Sequence, residues 1–229
     1  AGAKAILAGL DSATDQLAQN QNRNKTNREL IHNTNEKLSA TESKMEALRN
    51  ITERYDGYGN SIRRVMEQKQ WNPGIIGVVA DIITVNQKYE VAVETALGGS
   101  IQNIVTEDDA TAKRMISYLK TNRLGRATFL PLNTITDRGS VRNDVLREKG
   151  VIGVASDLVE VDSKFNTLVK NLLGRIIVVD NIDNALAVAR KNNQSLRLVT
   201  IEGELINPGG SMTGGAFRNS SNLLGRKRE

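Results

Sequence analysis

Cysteine is absent from this chain of 229 residues, histidine occurs once and proline three times, and aromatic residues make up only 3% of the sequence. Without cysteine there is no disulfide and no thiolate metal site, which fits a reducing compartment. The scarcity of aromatic side chains argues against a base-stacking surface and against an aromatic-lined ligand pocket. No apolar run approaches the roughly 20 residues of a membrane-spanning helix, and no signal peptide is visible. We therefore expect a cytoplasmic protein with no membrane partner, no metal and no cofactor.

Positive charge is in modest excess, with 31 Lys and Arg against 26 Asp and Glu and a formal net charge of +5. Residues 1–56 are neutral overall, so the whole excess lies in residues 57–229. Such an excess suggests a polyanionic partner, with solvated side chains on helix faces as an equal alternative. Two groups hold most of the excess, one without an intervening acid and one at the carboxyl terminus: Lys113, Arg114, Lys120, Arg123 and Arg126, and Arg218, Arg226, Lys227 and Arg228.

A long helix is predicted at the amino-terminal end, because residues 3–55 contain no proline and only one glycine. Apolar residues recur along it with alternating spacings of four and three, which is the heptad pattern of a coiled coil. Asn20, Asn24 and Asn27 interrupt this seam, weakening it while setting its register. One helix cannot bury such a stripe against itself, so we predict a coiled-coil arm over residues 1–56 that needs a partner helix. An ordinary amphipathic helix lying on the globular part is the alternative.

The globular sequence that follows contains an internal repeat. The run Gly74–Val85 (GIIGVVADIITV) returns 76 residues later as Gly150–Val161 (GVIGVASDLVEV). The match includes Asp81 with Asp157 and continues through the apolar positions that follow. Two copies of one supersecondary unit, related by a pseudo-twofold axis, explain this pattern.

Each copy is predicted to alternate strands and helices, which places the chain in the mixed α/β class. The repeated run is read as an apolar strand, and residues 131–149 as the link between the copies. The other predicted elements are the helices Gln87–Leu97, Asp108–Thr121, Ser163–Leu173 and Ile182–Asn193 and the strands Ile101–Thr106, Arg126–Leu130, Arg175–Asp180 and Leu196–Ile201.

Only the second copy carries an extension, which is a predicted hairpin turning at Glu202-Gly203. Its outer strand runs into the glycine-rich stretch Asn207–Gly215. Glycine at this density indicates backbone conformations closed to other residues, or another backbone at close range. Leu223–Glu229 is then predicted to begin another helix, so the globular part is inserted between an incoming and an outgoing helix. Since the chain begins at Ala1 without methionine, we expect it to be a piece of a longer protein.

The glycine-rich stretch and the repeat are compatible with three kinds of site: a phosphate-binding loop, a carboxylate pair and a protein–protein contact. Gly209–Gly214 has the spacing of a phosphate-binding P-loop, but Gly215 and Ala216 replace the required Lys and Ser/Thr. Asp81 and Asp157 could form a carboxylate pair, yet strand-end acceptors of backbone hydrogen bonds explain them more simply. A nucleotide-binding α/β enzyme domain with a helical arm stays as the alternative function. Protein–protein contact at a glycine-rich sheet edge is favoured.

The stretch Gly209–Gly215 (GGSMTGG) resembles the signature of the hinge domain of SMC (structural maintenance of chromosomes) proteins. Leu124–Leu132 (LGRATFLPL) is similar to the bacterial hinge pattern, and Ala96-Leu97-Gly98 fits it as well. The resemblance covers residues 57–217 and is closest to the homodimeric SMC protein of bacterial condensin.

The resemblance implies an SMC hinge-like fold of four parts: the arm 1–56, hinge subdomain I at 57–135, hinge subdomain II at 136–217, and the start of the return arm at 218–229. It also implies a role in chromosome condensation and segregation, in which the hinge joins two copies of the chain at the end of antiparallel coiled-coil arms. The second subdomain of one chain meets the first subdomain of the other, and the sheets continue across the junction. The motif match assigns to this interface Gly209, Gly210, Ser211, Met212, Thr213, Gly214 and Gly215.

The family resemblance further implies non-specific DNA binding and a nucleoid-associated location. By position after the glycine motif, the expected DNA-binding residues are Arg218, Arg226, Lys227 and Arg228, to which we add Lys120 and Arg123. The low aromatic content favours phosphate contacts over base stacking. This piece is expected to have no catalytic residue. The parent protein would bind and hydrolyse ATP through its head domains, where kleisin and accessory subunits bind.

Overall fold

The computed structural model describes residues 2–55, 58–216 and 223–225. Helix α1 spans Gly2–Arg54 without interruption, as the heptad pattern predicted. Its apolar seam is exposed between Ile6 and Met45, with Ile6 at 67%, Ile31 at 59% and Met45 at 69% of their full accessibility. The chain divides after Arg54 into this helix and a second compact unit, so each is described by itself.

The second unit opens with helix α2, Asn60–Glu67, whose Val65 and Met66 are buried. The side chain of Ser61 in the first turn donates a hydrogen bond to the carbonyl of Arg126 at 2.7 Å. The first repeat copy follows, with these elements in order: β1 Ile75–Val78, α3 Val79–Ile82, β2 Thr84–Val85, α4 Glu90–Leu97, β3 Ile104–Thr106, α5 Asp109–Thr121 and β4 Phe129–Pro131.

The second copy repeats this order from residue 151. Its elements are β5 Val151–Val154, β6 Val159–Glu160, α6 Asn166–Leu173, β7 Ile176–Val179, α7 Ile182–Lys191 and β8 Arg197–Thr200. A short 3-10 helix, Ala155–Leu158, stands where the first copy has α3. Strands β9, Leu205–Ile206, and β10, Met212–Thr213, have no counterpart in the first copy and form the predicted hairpin extension.

The two copies pair their strands in the same way, which confirms the repeat. In the first, β1 is antiparallel to β3, and β3 is parallel to β4. In the second, β5 is antiparallel to β7, and β7 is parallel to β8. Even the irregularity recurs, because the register slips between Ile75 and Gly77 and again between Val151 and Gly153. The second sheet then continues through β9 to β10, giving five strands against three.

A two-stranded ladder joins the copies, since β2 pairs antiparallel with β6 and Thr84 lies opposite Glu160. These residues are 76 positions apart, which is the offset of the repeat itself. A residue that pairs with its own counterpart must lie on the local twofold axis. The predicted pseudo-twofold axis therefore passes through this ladder, and the protein has the predicted mixed α/β architecture of two pseudo-symmetric subdomains.

The prediction of one continuous apolar strand over Gly74–Val85 was wrong. The strand ends at Val78, and the helical turn α3 separates it from β2. The Asp81 carboxylate accepts hydrogen bonds from the Val78 backbone N–H at 3.4 Å and from the Tyr55 hydroxyl. The expected backbone hydrogen bond is present, but it holds a helical turn rather than a strand end. The apolar character of the run alone could not distinguish a buried strand from a buried helical turn.

The long helix of each copy begins with the same cap. Asp108 accepts a hydrogen bond from the Thr111 backbone N–H at 2.7 Å, and Asn181 accepts one from Asn184 at 2.9 Å. The hydrogen bonds from Thr111, led by its backbone N–H, hold the pKa of the Asp108 carboxyl below its usual range. The two copies thus conserve the cap geometry while only one cap can titrate.

The link between the copies is packed against the second one. Val145 is fully buried in a cluster with Ile177 and Leu198 from the sheet and Val188 from α7. Burying a side chain of this size contributes about 1.5–3 kcal/mol relative to leaving it exposed. Residues 138–145 are therefore held across the starts of β7 and β8, where they form one wall of a cleft.

Helix α4 receives the last described residues of the chain. Leu223 and Leu224 are buried, and the Leu223 backbone N–H donates to the Glu94 carboxylate at 3.5 Å. These residues lie in a turn and not in a helix. Residues 226–229 of the predicted outgoing helix lie outside the described residues.

Candidate dimerisation edge

Strand β10 is the outer edge of the five-stranded sheet, and the glycine-rich stretch leads into it. The Asn207 backbone N–H donates to the Ser211 carbonyl at 2.9 Å, and the Gly210 N–H donates to Asn207 at 2.9 Å. Gly209 and Gly210 have φ values of 88° and 90°, which favour glycine, so the turn itself needs both. The Gly209 N–H also donates to the Gln194 carbonyl at 2.8 Å, which ties the turn to the end of α7.

The seven predicted interface residues, Gly209 to Gly215, are all exposed in the isolated chain. A Cβ added to Gly209 or Gly215 would meet no heavy atom within 4 Å, whereas one at Gly214 would lie 3.3 Å from Cγ of Glu204. Most of this stretch is therefore not crowded by its own subdomain.

The hydrogen bonds of β9 show which backbone groups of β10 do not bond to β9. Because Ser211 accepts from Asn207, and because neighbouring residues of a strand point to opposite sides, Ser211 and Thr213 face β9. Met212 lies between them and directs its N–H and C=O away from the sheet. Its side chain is 53% exposed.

The three-stranded sheet has a matching open edge at β4. The Ile104 N–H donates to the Thr128 carbonyl and the Leu132 N–H donates to Thr106, both at 2.9 Å, so Leu130 also faces β3. Phe129 and Pro131 therefore direct their backbone groups outward. A proline in this place is typical of an edge strand, since it has no N–H to leave unpaired. Phe129 is then the outward donor of this edge, as Met212 is of the other.

The glycine-rich stretch does not have the geometry of a phosphate-binding loop. A P-loop joins a strand to the amino terminus of a helix, where backbone N–H groups and the helix dipole meet the phosphates. Here the glycines join β9 to β10 within a hairpin. The part of the chain that the structure describes also has no group of three His, Asp or Glu placed to hold a metal ion.

The predicted DNA-binding residues fall into two sets. Lys120 and Arg123 are exposed at the carboxyl-terminal end of α5, and Arg123 has a positive φ of 54°. They belong to the first subdomain, whereas the glycine-rich stretch belongs to the second. Arg218, Arg226, Lys227 and Arg228 lie outside the described residues.

One group of charged residues escaped prediction. Arg138, Arg142, Arg175 and Arg197 line a single cleft of about 630 Å³ in the second subdomain. They come from the link, from the residue before β7 and from the start of β8, so no sequence window contains them all. The sequence contained one signal for this cleft: Arg175 directly precedes β7, and Arg197 is the first residue of the neighbouring strand β8.

A family model described as "SMC proteins Flexible Hinge Domain" matches residues 72–189. The Chromosome partition protein Smc of Desulfitobacterium hafniense (strain Y51) is 39% identical over 225 residues, which are 96% of this chain and 19% of that protein. The asymmetric dimer of the Geobacillus stearothermophilus SMC hinge domain matches with a TM-score of 0.71 and 36% identity, covering 87% of this chain and 81% of that one. The Pyrococcus furiosus SMC protein hinge domain matches with a TM-score of 0.59 and 37% identity, covering 79% and 93%.

The chain belongs to the SMC hinge family, as the glycine motif and the repeat indicated. It spans about a fifth of the length of the Desulfitobacterium relative. Among the helices within residues 2–55, 58–216 and 223–225, none is both long and apolar enough to cross a bilayer.

Proposed function

We propose that this chain is a homodimerisation hinge of a bacterial chromosome partition protein, and that β10 of each copy pairs with β4 of the other. The observation that carries the proposal is the pair of open sheet edges. Each presents one outward residue with both an N–H and a C=O, Met212 on β10 and Phe129 on β4. Unpaired edges of this kind are templates for strand addition.

The internal repeat explains why the two edges differ. By its register, β4 corresponds to β8, because each is the parallel neighbour of the strand that pairs antiparallel with the first strand of its copy, β1 or β5. The outer side of β8 is covered by β9, whereas β4 has no strand there among the described residues. Strand β10 of a second copy would supply the missing neighbour. Because each chain has one donor edge and one acceptor edge, two copies can close a ring with two equal junctions.

A solved relative supports dimerisation, since the Geobacillus stearothermophilus SMC hinge domain was crystallised as an asymmetric dimer. We place the interface at Gly209–Gly215, with subdomain I over 57–135, subdomain II over 136–217, and arm segments at 1–56 and 218–229. The hinge itself would carry no catalysis. In the longer protein, ATP hydrolysis and the binding of kleisin and accessory subunits would belong to the heads.

Sedimentation equilibrium of the 229-residue chain tests dimerisation directly. We expect twice the mass of one chain at micromolar concentration, because a specific interface buries about 1,200 Å² or more in total. A single species with the mass of one chain across the concentration range would remove the proposed function.

We further propose that the hinge binds DNA through its basic residues without reading sequence. A plot of log K against log salt has a negative slope, to which each phosphate contact with duplex DNA contributes about 0.9. Neutralising Arg218, Arg226, Lys227 and Arg228 together should therefore make this slope shallower by about 3.6. Fluorescence anisotropy with a labelled duplex at several salt concentrations measures this slope. Replacing Lys120 and Arg123 by glutamine in a separate variant tests their assignment. A slope that stays the same in both variants would place DNA binding elsewhere.

A further inference from the structure

The cleft of about 630 Å³ in the second subdomain carries positive charge that nothing in its lining balances. Arg138 and Arg142 come from the link, Arg175 precedes β7, and Arg197 begins β8. The other polar lining residues are neutral, and none of the described residues that line it is an aspartate or a glutamate. The cleft is therefore complementary to an anion.

Only one of the four arginines has its charge engaged by its own subdomain. Arg142 donates a hydrogen bond to the Asn192 side-chain oxygen at 3.0 Å and lies 3.3 Å from the Asp144 carboxylate. Within the described parts of the chain, no carboxylate lies within ion-pair distance of Arg138, Arg175 or Arg197.

Arg197 shows most clearly that an acceptor is missing. Its Nε atom is buried, and no acceptor within the described residues bonds to it. A buried donor of a charged group that lacks an acceptor has lost its hydrogen bond to water without a replacement, which is unfavourable. The parallel ladder holds Arg197 beside the buried Ile176, so its backbone cannot move away from the cleft without breaking the sheet. An anion in the cleft would give this guanidinium its partner.

The first copy shows that the fold does not require these charges. By register, Gln102 and Thr128 stand where the second copy has Arg175 and Arg197. The corresponding cleft, lined by both of them, is smaller, at about 270 Å³, and Ile62 of α2 contributes to its wall. The first-copy cleft holds one arginine, Arg126, against four in the second copy, so the large size and the cluster of arginines belong to the second copy alone. They are not consequences of the repeat.

We propose that this arginine cleft binds phosphate groups of a DNA backbone. Guanidinium groups match phosphate oxygens with paired hydrogen bonds, which suits the four arginines of the lining. The volume of about 630 Å³ exceeds what a single phosphate fills, and the arginines come from three separate segments of the lining, which suits successive phosphates of one strand. The inference rests on the DNA-binding part of the proposed function and assigns it a site that the basic tail does not include.

The position of the cleft connects it to the dimerisation edge. Pro208 contributes to its lining and directly precedes Gly209, whose N–H is bonded to the Gln194 carbonyl. DNA held by the cleft would therefore run beside the turn that carries β10.

The test is the double variant R138Q/R175Q, since both side chains are exposed and neither holds the fold together. We expect the affinity for a labelled duplex, measured by fluorescence anisotropy at low salt, to fall about tenfold. The negative slope of log K against log salt should become shallower by about 1.8 for two lost phosphate contacts. The dimer mass, measured by sedimentation, should not change.

The matched control is R147Q/R190Q, which removes the same charge from two exposed arginines of the same subdomain that do not line the cleft. We expect it to change affinity less than twofold. An equal loss in the control would show that net charge alone matters and would overturn the proposal. Wild-type binding retained in full by R138Q/R175Q would overturn it too, while leaving DNA binding by the hinge intact.

A free polyphosphate is the competing source of the same anion chemistry. Tripolyphosphate is the probe, and the backbone amide signal of Arg197 in a ¹⁵N spectrum reports on the cleft. If tripolyphosphate shifts this signal in the wild type but not in R138Q/R175Q, and duplex affinity is equal in both, the cleft serves a free polyphosphate and the DNA proposal is wrong. If the duplex shifts the Arg197 amide signal in the wild type, and this shift is absent in R138Q/R175Q, the proposal that the cleft binds DNA is supported.

Discussion

Replacing Met212 by proline should weaken the dimer at least about 30-fold, because the outward N–H of β10 disappears from both junctions. Each junction then leaves one buried acceptor unpaired, at about 1–3 kcal/mol, and the ring contains two such junctions. The hairpin itself should survive, since the Met212 N–H does not bond to β9 and proline is tolerated at outward positions of an edge strand. Sedimentation over a dilution series measures the dissociation constant.

Met212→Ala is the control for this variant, because it removes the same exposed side chain and keeps the N–H. We expect it to weaken the dimer much less than the proline. Circular dichroism should show that both variants remain folded. A Met212→Pro chain that still sediments as a tight dimer would contradict strand addition at β10, whatever the fate of the alanine variant.

Gly150→Ala should lower the stability of the second unit by about 3 kcal/mol or more. Gly150 has a φ of 84°, and an added Cβ would lie 2.5 Å from Oδ1 of Asp180 and 2.5 Å from Nδ2 of Asn184. The ends of these two side chains can rotate away, but Cβ of Asn184, at 2.6 Å, is fixed to the backbone of α7. The Asp180 N–H donates to the Gly150 carbonyl at 2.9 Å, so Gly150 cannot shift without straining that bond. For a unit of this size the melting temperature should fall by about 6–12 °C in differential scanning calorimetry.

Gly153→Ala provides the matched control three residues away on β5. No heavy atom lies within 4 Å of its added Cβ, and its φ is not in the left-handed region. We expect a change within about 0.5 kcal/mol. Equal melting temperatures for the two alanine variants would show that the contact between Gly150 and the first turn of α7 does not limit stability.

The repeat made most of the fold predictable from the sequence. Matching runs at Gly74 and Gly150 predicted two equivalent units, and the unmatched residues after Ile201 predicted an extra hairpin in one of them. What failed was the prediction of a strand over the whole apolar run, because α3 is held by Asp81, which accepts hydrogen bonds from the Val78 N–H and from the Tyr55 hydroxyl 26 residues away. Apolar runs of this length suit a buried strand and a buried helical turn equally well.

The candidate site was only partly accessible to prediction. The glycine motif identified the edge, but the outward direction of Met212 follows from the bond between Asn207 and Ser211, which no spacing reveals. The arginine cleft depended on three-dimensional proximity, since Arg138 and Arg197 meet only after the link folds across β7 and β8. Sequence reasoning found contiguous basic groups and missed one assembled from separate elements.

The small ladder between β2 and β6 has a consequence for assembly as a whole. In the proposed assembly each chain is bivalent, with one donor edge in subdomain II and one acceptor edge in subdomain I, and such chains close into a ring only when the angle between the edges is right. At any other angle the same contacts would build an open polymer. The ladder contains two residues of each strand, and it connects the subdomains at the pseudo-twofold axis, where Thr84 lies opposite Glu160. The geometry of this short ladder therefore helps to decide whether the protein forms a closed dimer or an open polymer.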